Sequence, residues 1–423
     1  MTRRSTRFWT AVLTSAILIP LDFPAASAQD EGTTSPGDCS IFYKARGKGG
    51  FLGADDRLGI VNCDGTGDRT FDFKRPAEIG WGVYGFLEDG RALLMSIVTT
   101  PEWKTKTFQE YYHTSRTHIW AFDRATSALG ELATEERLTP FYSMSALIPN
   151  SNRMLIGVNF AGREQVYSMD RDGRGPIPVT KEDEYVYGLS VSPDAKRIAF
   201  HANYRIHTAA IDGSGRVLIS TEDNALSFGT SWSPDGAWVL YQGCYSADDP
   251  GHDWSDIWIA RPDGSEARRL TQGQSAWFAS SYGAPENPGG GSIMPQWAPD
   301  GSGILFAQRA PDAMVPWEFQ VNQPDTTHFN RAFKPESARG GAHIAIIDPG
   351  TGTTAPITKP TEGQWDFRPS WSPDSTRILF CRAKVGESPA IWIANRDGSA
   401  ERELTRGING QGAEFPRWIP EQP

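Results

Sequence analysis

The chain has no excess of positive charge and only one long apolar run. Its 423 residues include 41 Lys and Arg against 51 Asp and Glu, which gives a formal net charge of −10. A nucleic-acid binder normally carries a basic surface, so no nucleic-acid partner is expected. The apolar run at residues 8–21 is too short to cross a bilayer, so no membrane span is predicted.

The sequence also lacks the short motifs that identify common reactions. It contains no H-E-x-x-H, no C-x-x-C pair, no G-x-S-x-G and no phosphate-binding glycine loop. These motifs would mark metalloproteases, thiol sites, α/β-hydrolases and nucleotide sites. No cofactor is therefore identified, and a divalent metal ion (calcium, manganese or zinc) is left open.

The first 28 residues have the pattern of a secretory signal peptide. Three arginines precede the apolar run, and Ala-Ser-Ala ends the segment at residue 28. The Arg3-Arg4 pair leaves twin-arginine export open beside the general secretory route. The predicted location is therefore secreted or periplasmic.

The rest of the chain is predicted to form one domain after a short tail. Residues 29–38 are polar and without periodicity, which is typical of a disordered segment. Residues 39–423 follow as a single domain, and a monomer is expected. Cysteine is scarce, with four in the chain. Cys39 and Cys63 should lie opposite each other at the base of a hairpin, where an exported protein can form a disulfide. A free pair is the alternative.

One stretch, 228–271, sets the pattern for the rest of the domain. It contains β-rich runs such as W-V-L-Y-Q and D-I-W-I-A, separated by the turns S-P-D-G and R-P-D-G. Four consecutive strands with tight turns form one blade of a β-propeller. The pattern recurs at steps of 41 to 74 residues, typical of propellers or solenoids, and the short β-rich runs exclude a helical solenoid. The residues in equivalent register are Leu87, Ile148, Ser192, Ser233, Ala298, Ser372 and Ile419.

The repeat W-S-P-D-G, apolar strand, I-W-hydrophobic-x-x-x-D-G, then R-x-L-T resembles the TolB-like (WD40-like) propeller repeat. Seven copies in this register predict an all-β, seven-bladed propeller. The last copy, F-P-R-W-I-P, is expected to supply the inner strand of the N-terminal blade and so close the ring.

Three of the predicted blades carry inserts, and the inserts share one face. Residues 99–118, 243–255 and 309–343 join second strands to third strands, and 272–294 joins an outer strand to the next inner strand. In an up-and-down blade both kinds of loop emerge on the same face. Long aromatic and charged loops on a rigid scaffold are a common place for function.

The predicted site residues come from this face and combine histidine, tyrosine, tryptophan and arginine. Sugars stack on aromatic faces, and arginine forks match carboxylates or sulfates. For each residue the alternative is simple packing or solvation of a loop. The predicted catalytic residues are His201, His252 and Tyr282, and the predicted substrate-binding residues are Arg331, Arg368, His328, Trp254, Trp277 and His113.

The predicted function follows from this loop face together with a second resemblance. In blade count and loop placement the chain is similar to propeller polysaccharide lyases such as oligogalacturonate lyase and ulvan lyase. That resemblance implies β-elimination at a uronic acid, with a polysaccharide or oligosaccharide as the partner. The histidine-rich metal-ligand motif of those lyases aligns with no run here. The alternatives are a TolB-like module that binds a peptide or glycan without catalysis, and a glycoside hydrolase with paired carboxylates.

Overall fold

A computed structural model describes most of the predicted domain. The predicted signal peptide, 1–28, and the predicted tail, 29–38, lie outside the described residues. No helix in the described part of the chain is long and apolar enough to cross a membrane. The described segments are 39–47, 56–73, 78–87, 89–98, 116–135, 146–160, 163–180, 186–221, 226–244, 254–273, 275–276, 294–319 and 331–420.

These segments are almost entirely strands, as their β-branched and aromatic content predicts. Two 3₁₀ turns, Pro335–Ser337 and Ile408–Gly410, are the helical elements within them. The strands are β1 (Ser40–Ala45), β2 (Arg57–Asn62), β3 (Arg69–Phe71), β4 (Glu78–Phe86), β5 (Ala92–Val98), β6 (Arg116–Phe122), β7 (Leu129–Glu135), β8 (Ala146–Leu147), β9 (Arg153–Phe160), β10 (Arg163–Asp170), β11 (Ile177–Pro178), β12 (Val186–Val191), β13 (Arg197–Ala202), β14 (Arg205–Ala210), β15 (Val217–Leu218), β16 (Leu226–Trp232), β17 (Val239–Cys244), β18 (Trp254–Ala260), β19 (Ala267–Arg269), β20 (Ser275–Ala276), β21 (Gln296–Trp297), β22 (Ile304–Arg309), β23 (Trp317–Phe319), β24 (Arg331–Phe333), β25 (Ala342–Ile347), β26 (Thr354–Pro356), β27 (Gln364–Trp371), β28 (Arg377–Lys384), β29 (Ala390–Asn395), β30 (Arg402–Thr405) and β31 (Ala413–Trp418).

The strands form a propeller whose described ladders are antiparallel except for one parallel bridge between β25 and β27. Four sheets have four strands each, in the orders β3-β2-β1-β31, β4-β5-β6-β7, β11-β10-β9-β8 and β12-β13-β14-β15. A thirteen-stranded sheet contains β16 to β22 and β25 to β30, and β23 pairs with β24 as a separate ribbon. The predicted all-β propeller is confirmed.

The predicted number of seven blades is wrong, because the described strands form a propeller of five sheets. The sequence repeats at Ser233, Ala298 and Ser372 share the thirteen-stranded sheet. The short strand β20 pairs with both β18 and β22, and Ala342 of β25 pairs in parallel with Trp365 of β27. These bridges arise from inserts and strand ends, so the repeat spacing contains no signal for them.

The ring closes between the two ends of the described chain. Strand β31 pairs antiparallel with β1, so that Trp418 lies opposite Ile41 and Ala413 lies opposite Ala45. The predicted closing strand is therefore present. The predicted disulfide between Cys39 and Cys63 is also formed, at the base of the β1–β2 hairpin.

The tryptophan of the repeat joins neighbouring inner strands. The indole N–H of Trp232 donates to the Ser190 carbonyl at 3.4 Å, and that of Trp418 donates to the Ser370 carbonyl at 3.4 Å. Trp371 donates in the same way to Gln296. These bonds satisfy buried N–H groups and fix the distance between successive inner strands.

Strand direction gives the propeller two different faces. The turn face carries the tight turns, where the hydroxyls of Ser233 and Ser372 donate to the carboxylates two residues later. The loop face carries the ends of β5, β17 and β22 and the starts of β6, β18 and β25. The candidate site lies on the loop face.

Candidate functional site

The structure describes the side chains of three predicted site residues. His201 lies near the end of β13, Trp254 begins β18, and Arg368 lies within β27. Arg331 begins β24, but its side chain is not among those described. The roles of all these residues stay predictions. Five further predicted residues lie outside the described residues: His113, His252, Trp277, Tyr282 and His328.

Trp254 is part of an aromatic stack on the loop face. Its ring is nearly parallel to that of Trp365, with 6.4 Å between centroids and 10° between planes. The Arg309 guanidinium lies 5.0 Å from the Trp254 ring centroid. Trp365 is 1% exposed, whereas Trp254 is only partly buried. The buried ring of Trp365 therefore supports the partly exposed ring of Trp254, which also lies beside the Arg309 cation.

Strand pairing brings these three side chains together. Arg309 pairs with Ala342, which also pairs in parallel with Trp365. The insert that separates β22 from β25 therefore ends beside the start of the next inner strand. Gly341 permits this approach, because a Cβ there would collide with the Gln364 carbonyl.

Neutral polar pairs join the strands that carry Trp254 and Arg309 to their neighbouring strands. His343 Nε2 donates to Gln308 Oε1 at 3.1 Å, and burial lowers the pKa of His343. The Gln242 amide donates to the hydroxyls of Ser255 and Ser275 at 3.0 and 3.3 Å. A lowered pKa keeps His343 uncharged at neutral pH, so these pairs orient the strand ends without adding charge.

Arg368 lies in a buried ion-pair chain that joins β27 to the closing strand. Its Nη1 is 3.1 Å from Glu414 Oε2, and Lys44 Nζ is 3.3 Å from Glu414 Oε1 and 2.6 Å from Asp56. The guanidinium also lies 3.8 Å from the Phe415 ring centroid. Burial alone would lower the pKa of Lys44, but the carboxylates of Asp56 and Glu414 outweigh it and leave the pKa raised.

The backbone at Arg368 and Phe415 has a conformation that is unusual for non-glycine residues. Arg368 has φ of +50° and Phe415 has φ of +55°, where Gly188 and Gly229 occupy the corresponding positions of other inner strands. Positive φ costs free energy for non-glycine residues, so the ion pair and the ring contact stabilise this geometry. The predicted contact of Arg368 with an anionic sugar would have to compete with Glu414.

A second buried pair neutralises Arg382 nearby. Its guanidinium holds Asp366 through two contacts at 2.6 and 2.8 Å and reaches Glu401 at 2.5 Å. Thr358 donates a hydrogen bond to the same Asp366 carboxylate. Burial raises the pKa of Asp366 although Arg382 opposes it. This arginine is therefore bound to carboxylates of the chain itself.

Arg309 differs from these cations. Within the described segments the structure records no carboxylate paired with it, and its side chain is partly exposed beside Trp254. Sequence reasoning missed Arg309, although it stands first in the 309–343 insert. The available signal was its position at the end of a β-rich run, immediately before that insert.

His201 is fully enclosed. Its exposure is 0%, and burial, together with the nearby His207, lowers the pKa of His201 to about 3. The Tyr204 ring lies 5.1 Å from the imidazole, in a tight turn where Asn203 and Tyr204 both have positive φ. His201 is therefore neutral near pH 7 and closed to solvent.

A protein metal site needs several donor side chains close together. No described group of three or more His, Cys, Asp and Glu side chains could hold a metal ion. The calcium, manganese or zinc that the sequence left open therefore has no ligand set within the described segments.

The chain matches no protein-family model and no curated protein sequence. Solved β-propeller structures do match it. The periplasmic gluconolactonase of Pseudomonas aeruginosa is 12% identical with a TM-score of 0.54, over 90% of this chain and 99% of that one. An oligogalacturonate lyase from Vibrio parahaemolyticus is 11% identical with a TM-score of 0.51, over 84% and 91%. TolB from Acinetobacter baumannii is 14% identical with a TM-score of 0.47, over 92% and 69%. At these identities the likeness shows the fold alone, and in fold the chain is a β-propeller similar to TolB, gluconolactonase and oligogalacturonate lyase.

Proposed function

We propose that the protein is an exported propeller that binds an acidic oligosaccharide on its loop face and cleaves it by β-elimination at a uronic acid. Residues 1–28 would act as the signal peptide, and 39–423 as the single catalytic domain. One observation carries the proposal. Trp254, a predicted substrate-binding residue, is a partly exposed ring held on the buried ring of Trp365. A supported and partly exposed indole is the kind of surface on which a sugar ring stacks.

The proposed chemistry requires two groups around the bound uronate. A base removes the C5 proton beside the carboxylate, and a cation or hydrogen-bond donors stabilise the enolate charge that develops. The C4–O bond then breaks, so that a C4=C5 double bond forms and the leaving sugar departs with that oxygen, which takes up a proton. His201, His252 and Tyr282 are the candidates for the base. His201 is neutral, which suits proton acceptance, but it is 0% exposed and would have to become accessible to the substrate.

A non-catalytic binding module is the second candidate. The complete burial of His201 favours it, because a general base must come within hydrogen-bonding distance of the substrate. Under this alternative the stack and its cation hold a glycan, and no bond is broken.

The experiment exposes the mature protein to a panel of uronic-acid polysaccharides: polygalacturonate, alginate and a glucuronate-containing glycan. Ultraviolet absorbance of the unsaturated product, reducing-end formation and equilibrium binding are measured in parallel. New absorbance supports the lyase, and reducing ends without absorbance indicate a hydrolase. Saturable binding with neither product selects the binding module and rejects cleavage.

A further inference from the structure

We infer that Arg309 recognises the carboxylate of the bound ligand, so that the loop face selects sugar acids over neutral or esterified sugars. The inference rests on the proposed function, because it assumes a glycan at the Trp254 stack. It names a residue that the sequence did not single out, and it assigns that residue a chemical selectivity.

Two other arginines of the loop face are already held by carboxylates of the chain. Arg382 is held by Asp366 and Glu401, and Arg368 is held by Glu414, all within 3.1 Å. These guanidinium groups lie among carboxylates that were desolvated with them on folding. A ligand carboxylate would have to displace a buried partner to reach either one, at a considerable cost.

Arg309 lies beside an indole and is partly exposed. The structure records no carboxylate against it in the described part of the chain, and its guanidinium is partly exposed at the end of β22. Its contact is with the Trp254 ring, at 5.0 Å from the centroid. Stacking on an indole leaves the N–H donors at the guanidinium edge free to point sideways, and those donors match the two oxygens of a carboxylate.

The distance between Arg309 and Trp254 suits a ligand that has both a sugar ring and a carboxylate. A pyranose ring against the exposed part of Trp254 would place its substituents next to Arg309, because the cation and the ring are in contact. A carboxylate at the sugar's C5 can then accept a two-pronged bond while the ring keeps its apolar contact. A methyl ester removes the charge and leaves the ring unchanged.

The experiment measures binding of oligouronates (galacturonate, mannuronate and glucuronate) and of their methyl esters by isothermal titration calorimetry. The proteins are the wild type, Arg309→Gln and Arg309→Lys. Loss of a charge-assisted contact should weaken acid binding about 10- to 100-fold in Arg309→Gln, with a smaller loss in Arg309→Lys. Binding of the methyl esters should be weak in the wild type and nearly unchanged in the variants.

The matched control is Arg396→Gln on the turn face. Arg396 also stacks on a tryptophan, 5.1 Å from the Trp371 ring centroid, but Asp300 neutralises it at 3.0 Å. This variant should bind oligouronates as the wild type does.

Each outcome decides the inference. Equal acid binding by the wild type and Arg309→Gln, equal binding of acids and esters, or no binding of any acid by the wild type would overturn it. Failure of the proposed cleavage appears separately, as Arg309-dependent binding without unsaturated product.

Discussion

The closing strand of the propeller is held by a buried charge, and removing that charge should destabilise the whole ring. Glu414 is the second residue of β31 and is 4% exposed. It accepts Arg368 at 3.1 Å from one side and Lys44 at 3.3 Å from the other. The variant Glu414→Ala leaves Arg368, itself 4% exposed, without this carboxylate.

The expected magnitude follows from the burial of both partners. Removing one member of a buried ion pair costs about 3–5 kcal/mol, because the remaining charge stays desolvated. That is a large share of the roughly 5–15 kcal/mol that stabilises a typical folded protein. For a domain of this length each kcal/mol lowers Tm by about 1–2 °C, so we expect a decrease of roughly 3–10 °C.

Urea unfolding followed by tryptophan fluorescence, with a thermal scan by circular dichroism, measures the change. Glu403→Ala is the matched control, because Glu403 pairs with Arg406 at 2.6 Å in an exposed position. An exposed pair contributes about 0–1 kcal/mol, so this variant should melt almost as the wild type does. The double variant Glu414→Gln with Arg368→Met should recover part of the loss, because it removes both charges. Equal stability of Glu414→Ala and Glu403→Ala would refute the reasoning.

Three further predictions concern the ring, the cysteines and pH. Deleting 415–423 removes most of β31 from β1 and should abolish a cooperative thermal transition; an unchanged transition would contradict the closure by β31. Thiol counting on unreduced, denatured protein should find two free thiols, since Cys39 and Cys63 are bonded; four would contradict this pairing, and none would contradict the free thiol of Cys381. In the native state Cys381 should resist alkylation, because burial raises its pKa to about 12. Folding lowers the pKa of His201 to about 3. The imidazole therefore binds a proton near pH 6.5 in the unfolded chain but stays neutral there in the folded chain. Stability should therefore fall as pH decreases from about 6.5 towards 3, and His201→Gln should reduce that slope in urea titrations; an identical slope would reject the assignment.

The repeat pattern predicted the strands and the closure because both are local features. Each strand begins after a tight turn with a recognisable sequence, such as the turn at Ser233 and the two residues after it. Strands joined by such a turn pair with each other, so the local sequence predicts both the strands and their pairing. The β31–β1 pairing is long-range, but the missing inner strand of the first blade left one place for it. The disulfide followed from the same hairpin register.

The blade count failed where pairing depends on segments outside the repeat. Strand β20 is two residues long and lies beyond the last outer strand of its unit, yet it bonds to β18 and β22. The contact between Ala342 and Trp365 similarly joins the end of an insert to the next unit. Such bridges depend on how an insert returns to the sheet, and no periodic signal records that path.

The candidate site was harder to predict than the fold, because the role of a charge depends on its distant partners. Arg368 was predicted to bind substrate, but Glu414, 46 residues away in the sequence, neutralises it. Arg309 looks ordinary in the sequence, and its importance comes from what the fold leaves beside it: an indole and, in the described part of the chain, no recorded carboxylate. A charge that the fold has already neutralised stabilises the protein, and one that stays exposed beside an aromatic surface is available to a ligand. This difference, rather than residue type, is what makes Arg309 the better candidate for recognising an acid.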